Sequence, residues 1–387
     1  MVKKVPIIIF LFVPIIFSQS FKQIKFIVLS ESVPRDSSVY IVGNHYLLGN
    51  WNPSSTFLPE KKRGEWSRTF KLPFYYHLEY KLTLGSWKLE ALNKEGNALP
   101  NNVLDVKNDT TIVITVLNWG SSSSQKIAGQ ITGTVEYHHN LKGKGIKPRD
   151  VIVWLPPGYY ENKEQSYPVL YMHDGQNIVD PVTSSFGVDW QIDEAADTLI
   201  KKNYIKPIII VGIYNTSDRS SEYSENDTGY AYMDFVVNNL KPFIDSTYRT
   251  KPGKESTGTG GSSLAGLISF MLVCYHPNIF SMAACISPAL KIGRYDFVSS
   301  VENYMGDKKK IRIYMDVGNI GLEDSLEVGV DEMANVLRKL GFTEWEDLYI
   351  YKAPNAEHSE KFWAERIWRP LIFMFGNENS KRFLYVN

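Results

Sequence analysis

A chain of 387 residues, 43% hydrophobic and 13% aromatic, carries the apolar material for two packed domains and is unlike a disordered sequence. Its 42 basic and 42 acidic residues cancel, and no polybasic tract is present, which speaks against nucleic acid as a partner. Two cysteines, Cys274 and Cys285, are too few for a disulfide framework and are expected as buried free thiols, with a bridge between them as the alternative.

The first twenty residues, MVKKVPIIIFLFVPIIFSQS, place Lys3 and Lys4 before an apolar run from Val5 to Phe17 that ends in small polar residues. That run is short for a bilayer span and has the three-part layout of a secretory signal. Residues 1–20 are therefore expected to be a signal peptide, giving a secreted or periplasmic protein with no stable membrane insertion after cleavage; an uncleaved anchor is the alternative. No cysteine follows the run, so the usual lipoprotein attachment site is missing.

From residue 21 to 119 short runs alternate apolar and polar positions: KFIVLS, VYIVG, WSRTFKL, LEYKLTL and TIVITVL, separated by Pro, Gly and Asn clusters. Such strands without a long helical pattern predict an all-β, immunoglobulin-like sandwich. Residues 120–127, beginning GSSSSQK, are small, polar and aperiodic, the composition of a linker.

Residues 128–387 follow another pattern. DVIVWLPP, YPVLYMHDG, KPIIIVGIY, STGTGGS, FSMAACIS and KIRIYMDVG alternate with the amphipathic stretches DEAADTLIKKN, MDFVVNNLKPFIDSTY and VDEMANVLRKLGF. This alternation predicts an α/β domain with a doubly wound, mostly parallel sheet, whose chemistry belongs at the carboxyl ends of the strands.

Within TGTGGSSLAG a G-x-S-x-G elbow fits best with Ser263 as nucleophile, Gly261 two residues before it and Ala265 in place of the final glycine. Ser262 as nucleophile would put Leu264 where a small residue is needed. A serine nucleophile needs a base, and His358 in APNAEHSEKFWAERI stands late in the chain, in the hydrolase order of nucleophile, acid, histidine. His173, His138 and His139 are read as structural or lining residues, the last two as preceding the sheet. No Cys/His cluster has metal-ligand spacing, so neither a metal nor an organic cofactor is expected.

The segments VIVWLPPGYY, VLYMHDGQNIVDPVTSSFGVDW, IIVGIYNTSDRSSEY, GGSSLAGL, HPNIFSMAACISPAL and AEHSEKFWAERI, in this order, resemble the esterase D and enterochelin esterase-like family of α/β-hydrolases over about residues 128–376. That family includes siderophore trilactone esterases, feruloyl and acetyl-xylan esterases and S-formylglutathione hydrolases. The resemblance implies a serine esterase in which Ser263 attacks an ester carbonyl and His358 carries the proton. The backbone N–H groups of Leu264 and Gln176 would hold the oxyanion, with Asp174 and Asn177 shaping the turn. Many relatives place an acid three residues after the glycine that ends KIRIYMDVG, but here that position is Gly321. Glu323 comes first among the alternatives, Asp324 second and a Ser-His dyad third, with Asp316 weaker because it points from inside a strand.

In the first domain, VYIVGNHYLLGNWNP, LEYKL and GSWKLEALNKEGNALPNN resemble the starch-binding modules of carbohydrate-binding module family 20, over about residues 22–118. The resemblance implies a glycan site at Trp51, Lys81, Trp87 and Asn101, with Glu90 on the same surface. Tryptophans packed in a sandwich core are the competing account. Together these readings predict an exported serine esterase acting on acylated sugars or polysaccharides. A siderophore esterase, for which Arg219 is the residue to inspect, and an inactive glycan-binding protein are the alternatives.

Overall fold

The computed structural model describes residues 21–49, 52–94, 101–120, 131–293, 295–304 and 310–385. The chain divides into two compact units, residues 1–123 and 124–387.

The first unit is built from two sheets. In the smaller, Phe21–Leu29 pairs antiparallel with Glu65–Pro73 and parallel with Thr110–Thr115. In the larger, His77–Thr83 lies between Val39–Gly43 and Asn102–Asp105, with Glu90–Leu92 and Asn118–Gly120 extending the edge. The two-residue period of the sequence buries Ile24, Phe26 and Val28 from one sheet against Ile41, Leu78, Tyr80 and Leu82 from the other. Phe26 bridges the layers, its ring edge-on to Phe70 at 5.9 Å and Tyr80 at 4.9 Å. Trp66, in the segment EW, belongs to this core at 5% exposure.

The second unit contains one eight-stranded sheet: β1 Thr134–Leu141, β2 Arg149–Leu155, β3 Val169–His173, β4 Ile209–Ile213, β5 Thr257–Ser262, β6 Met282–Ile286, β7 Arg312–Val317 and β8 Leu348–Lys352. Their spatial order is 1-2-4-3-5-6-7-8; β2 runs antiparallel to both neighbours and β3 to β8 are mutually parallel. This is the α/β-hydrolase sheet. Alternate residues of each strand feed separate cores on its two faces. Val151, Val153, Tyr171, Val211 and Ile213 pack on one side, Ile152, Trp154, Leu170, Met172 and Ile210 on the other. Burial on both faces explains why these strands read as unbroken apolar runs. Helix α1, Ile192–Lys201, contributes to the second core, and so does α5, Trp368–Phe375. On the first face lie α2, Leu264–Tyr275, and α3, Leu322–Lys339; a short helix α4, Glu360–Arg366, precedes α5.

Two strands go beyond the runs picked out in the sequence. β1 carries His138 and His139, so these residues lie within the sheet rather than before it; His138 Nε2 meets the Tyr248 hydroxyl at 2.6 Å and His139 Nδ1 meets Asp150 at 2.9 Å. β8 closes the opposite edge. Cys274 and Cys285 are both buried and unbridged. No helix among the described residues is long and apolar enough to cross a membrane.

Candidate active site

Strand β5 is buried along its whole length and ends at Ser262, which is 3% exposed. Ser263 follows with φ 57° and ψ −123°, and α2 begins at the next residue. A non-glycine residue in such a conformation carries about 1–3 kcal/mol of strain and persists only where its surroundings hold it. Three backbone hydrogen bonds do so. The Ser263 N–H donates to Ile286 O at 3.0 Å, and its carbonyl accepts from Leu267 at 3.1 Å and Ala289 at 3.0 Å. The turn also needs small residues where strand and helix approach. A Cβ on Gly261 would stand 2.6 Å from the Ala265 methyl. The methyl at 265 is accommodated because position 261 has none, which accounts for alanine in place of the last elbow glycine. Ser263, half-buried, occupies the corner between strand and helix, whereas Ser262 is buried within the strand.

His358 is carried by the loop between β8 and α4. That loop is tied to the end of β7: Asn319 and Ile320 N–H both donate to Ala356 O at 3.2 Å, and Asn355 N–H donates to the Asn319 side chain at 2.7 Å. A Cβ on Gly318 would lie 2.2 Å from Ala356 O, so this approach requires glycine.

Of the candidate acids, Glu323, in the first turn of α3, is the one that reaches the histidine. The His358 Nδ1 lies 2.8 Å from its Oε1, and the Gly318 N–H donates to its Oε2 at 2.6 Å. Glu323 is fully buried and His358 half-buried, their side chains 0% and 14% exposed. Burial pushes the Glu323 carboxyl up, but the hydrogen bond and charge of His358, the Ser287 hydroxyl and the Gly318 N–H outweigh it and hold the group below its ordinary value. An ionised Glu323 has no proton to give, so Nδ1 donates and Nε2 is left as the basic atom. Asp324 is exposed, and Gly321 caps the helix with φ 66°. Asp316 is buried elsewhere, accepting from Tyr314 at 2.8 Å and from Arg366 at 3.1 Å.

The oxyanion candidates lie just after two adjacent strands, β5 and β3. Leu264 is the first residue of α2, where backbone N–H groups have no partner within the helix. Gln176 lies in the 3-10 turn Gly175–Asn177 that follows β3. Met172 pairs with Gly260, so both turns leave the sheet at the same end. Asp174 fixes the second turn: it sits at φ 57° and its carboxylate accepts from Asn215 at 2.6 Å and from Arg219 at 2.7 Å and 2.8 Å. His173, fully buried, meets Tyr232 and Thr259, and burial pushes its pKa down to about 3, a neutral structural residue. Glu360, at the start of α4, is 7% exposed and raised to about 7 by burial.

Among the described residues only Asp189, Asp193 and Glu194 bring three metal-ligand types within 4.8 Å of one another. Burial and its hydrogen bond to Glu194 push Asp193 to about 8, so a proton on Asp193 offsets the crowding at neutral pH.

In the first unit, Trp51 lies outside the described residues. Lys81 is buried and its Nζ pairs with Glu90 at 2.9 Å, while Asn101 donates to Glu79 at 2.9 Å. Trp87 is half-buried in the turn Trp87–Leu89. Tyr46, passed over in the sequence, is 71% exposed, its ring lying 4.5 Å from that of His45 and tilted 34° to it. Ser287, Trp363 and Arg366, which pack behind the acid, were also passed over, because only side-chain geometry joins these distant positions.

A family model described as "Putative esterase" matches residues 146–373, and one described as "Starch binding domain" matches residues 22–114. The uncharacterized protein YbbA of Bacillus subtilis is 22% identical over 245 residues, covering 60% of this chain and 94% of that protein. An endo-1,4-beta-xylanase/feruloyl esterase of Xylanibacter ruminicola is 27% identical over 194 residues, which is 49% of this chain and 25% of the relative. Among solved structures, a ferulic acid esterase has a TM-score of 0.50 at 19% identity, covering 62% of this chain and 98% of its own. The enterobactin esterase FES of Shigella flexneri has a TM-score of 0.53 at 12% identity, covering 90% of this chain and 92% of its own.

Proposed function

The chain belongs to the Putative esterase family and is a carboxylic ester hydrolase with a starch-binding-type module; from that premise we propose that Ser263, His358 and Glu323 form its catalytic triad and that its substrates are acylated sugars or polysaccharides. Ser263 Oγ attacks the ester carbonyl while His358 Nε2 takes its proton, and Glu323 stabilises the imidazolium that forms. The N–H groups of Leu264 and Gln176 receive the oxyanion, a contribution of about 3 kcal/mol per donor in comparable sites. The imidazolium then protonates the departing alcohol, and water, activated by the same histidine, releases the acyl group from Ser263. The observation that carries this reading is the strained Ser263 turn together with the 2.8 Å contact between His358 and Glu323.

Attachment to a glycan raises the local concentration of ester at the catalytic unit, the reason to favour an acylated carbohydrate. The kinship with an enzyme named xylanase/feruloyl esterase supports that choice. Export, with the mature chain starting near residue 21, is part of the same proposal, since such polymers lie outside the cell. A siderophore trilactone is the second reading, favoured by the coverage of the enterobactin esterase structure. The bidentate hold of Asp174 on Arg219 weighs against it, because that guanidinium is already neutralised. Initial rates on acetylated and feruloylated oligosaccharides beside a catecholate trilactone test the choice. Faster turnover of the sugar esters supports the first reading; hydrolysis of the trilactone alone replaces it.

A further inference from the structure

The turn that carries the second oxyanion candidate, residues 174–177, is held from β4 and the loop that follows it. Gly175 is pressed on that strand, where a Cβ would stand 2.2 Å from Gly212 C. Asn215, just after β4, grips the turn at two places: its Nδ2 donates to Asp174 Oδ1 at 2.6 Å and its backbone N–H to Gln176 Oε1 at 3.2 Å. Arg219, at the start of the short helical turn Arg219–Glu222, clasps the same carboxylate with two arms, Nε 2.8 Å from Oδ1 and Nη2 2.7 Å from Oδ2. From the other side, the Thr183 hydroxyl donates to Gln176 O at 2.8 Å and the Ser185 N–H to Asn177 Oδ1 at 2.9 Å.

Asp174 needs this support. It sits at φ 57°, a region non-glycine residues enter uncommonly, and its carboxylate is 6% exposed. The guanidinium fork of Arg219 matches a carboxylate in shape as well as charge, so the pair fixes an orientation and not only a contact. That orientation passes to the backbone. Within the turn the Asn177 N–H donates to Asp174 O at 2.9 Å, a bond that does not use the Gln176 N–H. The direction of the Gln176 N–H is therefore decided by what holds residues 174 and 176, and Asn215 and Arg219 between them hold both.

We propose that Arg219 and Asn215 are positioning residues for catalysis: acting through Asp174 and the Gln176 side chain, they aim the Gln176 N–H at the oxyanion of the reacting ester. A donor lowers the barrier only if it already points to where charge develops, so a turn free to rotate forfeits that stabilisation while the ester still binds. Arg219 then works on the reaction without touching the substrate.

This inference rests on the triad reading, and its test separates the two. Arg219→Lys keeps a cation beside Asp174 but loses the fork. Asn215→Ala loses the Nδ2 donor and keeps the backbone N–H. The double variant Asp174→Asn with Arg219→Met leaves no charge buried without a partner, and so guards against misfolding as the cause of any loss. On p-nitrophenyl acetate all three are expected to lose about tenfold to hundredfold in kcat with KM little changed. A trifluoromethyl ketone, whose adduct with Ser263 places an oxyanion in the same hole, is expected to bind them more weakly by a similar factor. A purely structural role moves the melting temperature alone, so folded variants that keep wild-type kcat and wild-type affinity for the ketone overturn the proposal. A raised KM with unchanged kcat overturns it as well, because Arg219 would then bind substrate. Should the wild type hydrolyse no ester and bind no ketone, the triad reading fails and this proposal with it.

Discussion

Three carboxylates, at positions 316, 323 and 324, stand near the end of β7, and side-chain geometry separates them. Glu323 receives the His358 N–H, Asp316 is occupied by Arg366 and Tyr314, and Asp324 faces solvent. Glu323→Gln keeps the volume but offers an amide to the histidine, favouring the wrong tautomer. It is expected to lower kcat on p-nitrophenyl acetate by about 10²- to 10⁴-fold, whereas Asp324→Ala should remain within twofold of wild type. Ser263 and His358 were legible in the sequence because an elbow and a chain order are local features. The candidate acid was legible only as a choice, because its position depends on how residues 318–321 fold. Burial of Glu360 gives a prediction of another kind. Its folded pKa of about 7 lies above the ordinary 4.5, so the folded state holds the proton more tightly than the unfolded chain. Its contribution to stability is therefore complete below about pH 4.5 and lost as pH rises through about 7. Glu360→Gln cannot ionise and should melt above the wild type at about pH 8.5, with the gap closing near pH 5; a gap that is the same at both pH values would contradict this.

At the level of elements, the elbow is a packing problem between β5 and α2. Gly261→Ala would set two methyls 2.6 Å apart, an overpacking that costs about 1–3 kcal/mol. Melting should fall by several degrees, at about 2–4 °C per kcal/mol for a unit of this size. Pairing Gly261→Ala with Ala265→Gly should restore part of the loss, since the backbone carbonyl of residue 265 still stands 3.0 Å from the new Cβ; no recovery at all would rule out the methyl clash as a cause. The same scale explains which strands the sequence revealed. β2 to β7 are covered on both faces and write themselves as apolar runs. β1 has an exposed, histidine-bearing pattern and β8 mixes Tyr and Lys, because an edge strand carries a polar side that hides the strand period. In the first unit the longer strands, Phe21–Leu29, Val39–Gly43, Glu65–Pro73, His77–Thr83 and Thr110–Thr115, were visible, whereas Phe57–Leu58, Glu60–Lys62, Glu90–Leu92, Asn102–Asp105 and Asn118–Gly120 are too short to show a period.

For the whole molecule, the account joins an ester hydrolase to a starch-binding-type unit whose Lys81 and Glu90 are already paired. We propose that recognition of a sugar falls to aromatic side chains, Trp51 foremost. The full chain should cosediment with insoluble starch and Trp51→Ala should not, with turnover of a soluble ester equal in both; equal cosedimentation would remove the glycan-binding role of Trp51. The central claim is the serine nucleophile, and its most direct test is hydrolysis of p-nitrophenyl acetate by the chain from residue 21 onward beside Ser263→Ala and His358→Ala. The account predicts turnover by wild type and background rates in both variants. Wild-type rates in Ser263→Ala, or inertness of all three on acetate and longer acyl esters, would contradict it.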